Sequence, residues 1–221
     1  MEKIKTWNYY HALVLALSSL GICLGIGLQL SVGVAVISFA YFIALHWTWM
    51  KQQRPFGGFA FWLTFLRLVL ILILAWHFAS WEPMVIFWIA LVAMLADGVD
   101  GWLARHFQTE SDFGAYLDME SDAFFVCTMS TILYLNHYFG AWILAIGFLR
   151  YAYVLLIYLL RQDHKKEGPN RYATPIAGFL FISLLTPFVL EASWYEPIVG
   201  LASALVCLSF GYGFSTLWRV D

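Results

Sequence analysis

Apolar stretches long enough to cross a bilayer recur along almost the whole chain. They can be drawn at 8–30, 32–50, 60–80, 84–105, 113–136, 140–161, 173–190 and 196–217, and a hydrocarbon core of about 30 Å needs roughly 20 helical residues. The pattern predicts an all-α integral membrane protein with about eight transmembrane helices. The polar breaks between the stretches are short. Leu30-Ser31-Val32-Gly33 separates the first two, and Lys51-Gln52-Gln53-Arg54-Pro55-Phe56-Gly57-Gly58 is the clearest internal boundary. That boundary divides the chain into a two-helix N-terminal element, residues 1–55, and a six-helix core, residues 56–221. The run from Tyr9 to about Leu30 is long enough to span, so it is read as a mature helix and not as a cleaved signal.

Composition agrees with the pattern. Of the 221 residues 62% are hydrophobic and 12% charged, about half the charged share a soluble domain needs to clothe its core. Lipid therefore replaces water over most of the exterior, and no nucleic-acid partner is expected. Cys23, Cys127 and Cys207 each sit in apolar surroundings without CxxC spacing and are read as small buried hydrophobes. The net charge of −2 says little, but charge placement sets orientation. With the N-terminus inside and eight crossings, both termini are cytoplasmic. Ten of the twelve basic residues then fall on cytoplasmic segments, while Arg67 and Arg150 lie within spans. The external turns carry Glu82, Glu191 and Glu196, flanked by Trp81, Trp194 and Tyr195 as an aromatic belt.

The chemistry concentrates in one stretch. Asp97, Asp100, Gly101, Ala104 and Arg105 fall at i, i+3, i+4, i+7 and i+8 of one helix and share a face. Gly114, Asp118 and Asp122 fall at i, i+4 and i+8 of the next, again on one face. The short link 106–112 makes the two helices antiparallel neighbours, with Thr109, Ser111 or Asp112 able to cap the second. Four carboxylates can therefore converge. Asp97 lies about 12 Å inside the helix end marked by Arg105, at about 1.5 Å per residue. Carboxylates at that depth repel and are poorly solvated, so something positive must hold them ionised. Two divalent cations, Mg²⁺, Mn²⁺ or Ca²⁺, are the simplest answer, and phosphoryl transfer is the chemistry such a pair serves. Gly101, Ala104 and Gly114 keep the crevice open for close helix approach or a nucleotide, and Arg105 at its mouth can contact phosphate or cytidine. Glu120 points about 160° away from the shared face and is left out of the site. His46, His77, His106 and His137 have no ligand spacing and are read as packed or interfacial.

This run resembles, position for position, the CDP-alcohol phosphotransferase pattern D-x2-D-G-x2-A-R-x8-G-x3-D-x3-D. The resemblance implies a dimetal site at Asp97, Asp100, Asp118 and Asp122, occupied by Mg²⁺ or Mn²⁺, with Asp122 as general base. It also implies a homodimer that binds the CDP moiety at the cytoplasmic membrane interface, through Asp97, Gly101, Ala104, Arg105 and Gly114. The expected reaction moves a phosphatidyl-type group from a CDP-linked lipid donor to an alcohol acceptor and releases CMP. Three further stretches resemble the family less closely. Thr64 and Arg67 fit N-x2-T-x2-R with Phe61 in place of Asn; Arg150 stands where relatives carry an acceptor-pocket basic residue; Arg171 and Thr174 fit G-[KR]-x2-T with two residues inserted. These five are the candidates for acceptor or phosphate binding. The competing readings are a cation-transporting membrane protein, or one that binds CDP-lipid without turnover, built on the same acids.

Overall fold

The computed structural model describes residues 2–23, 28–52, 59–106, 111–160 and 172–217, and at 2, 19, 20, 23, 28, 59, 60, 97–106 and 217 the backbone only. Nine α-helices are found among the described residues: α1 Glu2–Cys23, α2 Leu28–Leu45, α3 Trp47–Gln52, α4 Phe59–His77, α5 Pro83–His106, α6 Asp112–Leu135, α7 Trp142–Leu159, α8 Ala173–Leu185 and α9 Ala192–Leu217. Short 3₁₀ turns follow α4 and α8, at Phe78–Ser80 and Thr186–Phe188. By length and composition Phe61–Ser80, Trp142–Leu159 and Ala192–Thr216 are each able to cross a membrane. Gln29–Leu45, Pro83–Ala96 and Ala173–Phe188 are shorter apolar helices. α6 has the length, but Asp112, Asp118, Glu120 and Asp122 take it out of the apolar class.

The first break moves. Residues 30–33 are not a linker: they lie in the continuous α2, and α1 ends at Cys23. Burial and one hydrogen bond explain why this stretch continues the helix. Val32 is 3% exposed, and the Ser31 hydroxyl reaches back to the Ser18 carbonyl at 3.3 Å, so the serine is satisfied against α1. Gly33 meets no neighbour that a side chain would strike, so it costs only intrinsic helix propensity.

α6 is the hub, packing against α4, α7 and α8. It is buried almost without interruption from Ala123 to Leu133, as expected of a helix surrounded by others. Ser111, in extended backbone, caps it by accepting from the Gly114 amide at 3.0 Å, so of the three proposed caps the serine serves. A Cβ on Gly114 would stand 3.2 Å from that hydroxyl, one reason for the glycine. Its first turn is fastened by Phe113, whose ring lies 5.1 Å from Phe42, 4.8 Å from His46 and 6.1 Å from Phe61. Outward faces carry large apolar side chains, with Ile37 71%, Leu159 73% and Leu208 70% exposed, the surface a lipid solvent requires.

The α6–α7 contact is close because Gly147 has no side chain. A Cβ there would lie 2.9 Å from Ser130 Cβ and 3.1 Å from the Cys127 backbone. Gly147→Ala is expected to destabilise by about 1–3 kcal/mol despite alanine's better helix propensity, read as earlier thermal unfolding of purified protein in detergent. Unchanged or higher unfolding temperature would show that the two helices separate freely.

Candidate active site

Asp118 and Asp122 sit one turn apart on α6, and α4 brings Arg67 to them. Thr64 and Arg67 are three apart on α4 and both buried, at 4% and 1% exposure. The Arg67 guanidinium meets Asp118 Oδ1 at 3.1 Å and Asp122 Oδ1 at 2.9 Å. It also donates to the Asp118 carbonyl at 3.0 Å and to the Ser121 hydroxyl, which in turn donates to that carbonyl at 2.9 Å. One buried cation thus clamps the two carboxylates that the signature spacing places on one face. The carboxylates remain partly open, with side-chain exposures of 39% and 34%. Both acids ionised against one guanidinium leave an excess negative charge, and hard oxygen ligands carrying excess charge suit a divalent cation.

Asp97, Asp100, Gly101, Ala104 and Arg105 lie on the C-terminal part of α5, in the register that puts them on one helical face. Their side chains lie outside the described residues, as does Arg171. Among the described residues no three ligating side chains cluster closely enough to hold a metal ion. The fit to a divalent cation therefore rests on the Asp118–Asp122 pair and its charge. Phe61, standing where the related pattern has Asn, is 7% exposed and stacks on Phe65 at 5.7 Å, so it packs and offers no polar group. Thr174 is exposed in the first turn of α8.

Asp122 also lines a cavity of about 290 Å³ between α6, α7, α8 and α9. Its wall is mainly apolar, with Val126, Ile176, Leu180 and Phe210 among the lining residues, and Arg150 supplies the cation on it. Arg150 donates from Nη2 to Glu120 Oε1 at 2.9 Å and contacts Met119 Sδ at 2.9 Å. Glu120 is the residue that the helical face argument set aside. It does point away from Arg67, but it is fully buried and bound by Arg150 and by Asn8 of α1. Its spacing gave no sign of this; a buried-looking carboxylate within an apolar run was the available signal. Of the histidines, His46 donates its Nδ1–H to the Phe42 carbonyl at 3.0 Å, and His77, exposed at the end of α4, stacks on Trp81 at 5.4 Å.

The family model for CDP-alcohol phosphatidyltransferase matches residues 59–212, from the first residue of α4 to within α9. The chain belongs to the CDP-alcohol phosphatidyltransferase family. It is thus a transferase, and the carboxylate face on α6 lies within the matched segment. Among its relatives is the CDP-diacylglycerol–glycerol-3-phosphate 3-phosphatidyltransferase of Salmonella choleraesuis, 27% identical over 72% of this chain and 88% of the relative. The enzyme of the same name from Yersinia pestis is 36% identical over 46% of this chain and 57% of the relative. No solved structure matches the chain. α1, α2 and α3 lie before the matched segment, so the partners of Glu120 on α1 come from outside the part that defines this phosphatidyltransferase family.

Proposed function

We propose that this phosphatidyltransferase moves the phosphatidyl group of CDP-diacylglycerol to an alcohol, with a phosphorylated polyol such as glycerol 3-phosphate as the first candidate acceptor. The observation that carries the reading is the placement of Asp122, clamped by Arg67 on one side and open to a cavity bearing Arg150 on the other. An apolar wall suits lipid chains, and a guanidinium suits an acceptor phosphate. The names of the relatives point to the same donor and acceptor classes.

In this scheme Asp122 takes the proton of the acceptor hydroxyl, whose oxygen attacks the lipid-side phosphorus; the phosphorus–oxygen bond to CMP breaks and CMP leaves. Asp97, Asp100, Asp118 and Asp122 would hold two divalent cations, Mg²⁺ or Mn²⁺, which supply neutralisation of the diphosphate and of the departing CMP oxygen. Arg67 offsets part of the charge of Asp118 and Asp122 and fixes their rotamers, so that Asp122 is positioned as a base. Gly101, Ala104, Gly114 and Arg105 are assigned to the CDP portion, and Thr64, Arg150, Arg171 and Thr174 to acceptor or phosphate. Both termini and the site face the cytoplasm under the positive-inside rule, and the protein works as a homodimer.

Membranes containing the protein, given CDP-diacylglycerol and glycerol 3-phosphate, are expected to release CMP only with a divalent cation present. Chelation with EDTA should lower release at least about a hundredfold, and Mg²⁺ or Mn²⁺ should restore it. Full activity in EDTA would refute the metal assignment, and ion flux independent of CDP-lipid would favour transport instead.

A further inference from the structure

The N-terminal helix reaches the cavity through a buried polar relay. Glu120, 0% exposed, receives the Asn8 amide at 2.9 Å on the same Oε1 that Arg150 binds at 2.9 Å. His11, 1% exposed, stands with Nε2 3.9 Å from Glu120 Oε2. The other ring nitrogen of His11 is 2.7 Å from the Ser38 hydroxyl of α2, and Trp7 stacks on the imidazole at 4.8 Å. Trp7 is itself tied to α2 through the Ser38 carbonyl at 3.1 Å and by stacking on Phe42 at 3.8 Å. α1 packs against α7 and α2, and α2 against α4, so α1 reaches α6 through the Asn8–Glu120 bond.

That arrangement matters for Arg150. A guanidinium within a helix bundle has several rotatable bonds, and it can snorkel or turn toward any nearby acceptor. Here Nη2 makes both contacts, to Glu120 and Met119, while Nε is buried with no partner among the described residues. The side chain keeps 21% of its surface open and lines the cavity with Asp122. Glu120 thus anchors one end of the guanidinium and leaves donors for a ligand. Glu120 in turn is held by Asn8 and covered by His11. Without α1 the carboxylate would face lipid or water, and the cheapest relief is to swing away or neutralise.

We propose that α1 is a positioning element of the acceptor site, with Asn8, backed by His11, fixing Glu120 so that Glu120 holds Arg150 toward an anionic acceptor group. Asn8, His11 and Glu120 are positioning residues that do not touch substrate. The proposal rests on the acceptor role given to Arg150 above and adds the device that sets it.

The test is a carboxylate–amide exchange in the full chain, purified in lipid nanodiscs. CMP release is measured against varied glycerol 3-phosphate and, separately, varied CDP-diacylglycerol. Asn8→Asp opposes Glu120 with a like charge and is expected to raise KM for glycerol 3-phosphate roughly tenfold, the scale of one charge-assisted hydrogen bond, with KM for CDP-diacylglycerol unchanged. Adding Glu120→Gln restores a hydrogen bond of reversed polarity and is expected to recover most of the acceptor KM, a coupling that two independent structural defects would not give. If Asn8→Asp does not fold, Asn8→Ala takes its place with the same expected split. An acceptor KM within twofold of wild type in the folded single variant, or equal loss toward both substrates, overturns the proposal. Should the wild-type protein transfer to no alcohol at all, the acceptor reading fails by itself. Thermal stabilisation by inorganic phosphate then decides the positioning: dependence on Arg150 and weakening in Asn8→Ala support it, and indifference to Asn8→Ala refutes it.

Discussion

The Asp122→Asn protein is expected to insert and fold like wild type and to release CMP about a thousandfold more slowly, the size of effect a positioned general base contributes. The substitution is isosteric, so the packing of α6 is untouched. The amide oxygen can still accept from Arg67, which wild-type Asp122 meets at 2.9 Å. What is lost is a basic oxygen facing the cavity and one negative charge of the cation-binding set. Asp118→Asn removes a charge but not the base, so its loss should be partly recovered at high Mg²⁺, whereas that of Asp122→Asn should not. The comparison is made by CMP release over a Mg²⁺ series in protein that elutes as wild type does. A rate above one tenth of wild type for Asp122→Asn would rule out its role as base.

Replacing Arg67 should cost both activity and stability. Its guanidinium side chain is 2% exposed and bridges two carboxylates, so Arg67→Met leaves Asp118 and Asp122 facing each other without their common cation. Removing one partner of a fully buried pair costs about 3–5 kcal/mol; both carboxylates here keep about a third of their surface open, so about 2–3 kcal/mol is expected. The charge vacated by Arg67 can be replaced from solution. The unfolding temperature of Arg67→Met should therefore rise more steeply with Mg²⁺ than that of wild type. Equal stability of the two proteins in EDTA would mean that the Arg67 ion pairs do not stabilise the fold.

Much of this was legible in the chain. Apolar runs give helices because a backbone in lipid must satisfy its own hydrogen bonds, and Ser111 stood among the three possible caps before the first unpaired amides of α6, the structure selecting it. The spacing of Asp118 and Asp122 puts them on one face whatever surrounds them. The first helix break was misplaced, since Ser31 and Gly33 look like loop residues until Ser31 is seen bonded to α1. Glu120 was dismissed for the face it occupies, which is a statement about α6 alone.

Helical period fixes which residues share a face, and so the sequence by itself determined an all-helical chain, the acids that stand together on α6, and the signature register on α5. It does not fix which face meets which helix. Between apolar helices in lipid there is no hydrophobic preference for one neighbour over another, so pairing is decided by small-residue contacts such as Gly147 and by scattered polar groups. Only the tertiary structure decided that Arg67, 51 residues before Asp118, closes on the acids, and that Asn8, 112 residues before Glu120, holds the carboxylate behind Arg150. Those long-range bonds form because a buried charge finds a partner wherever packing brings one within reach.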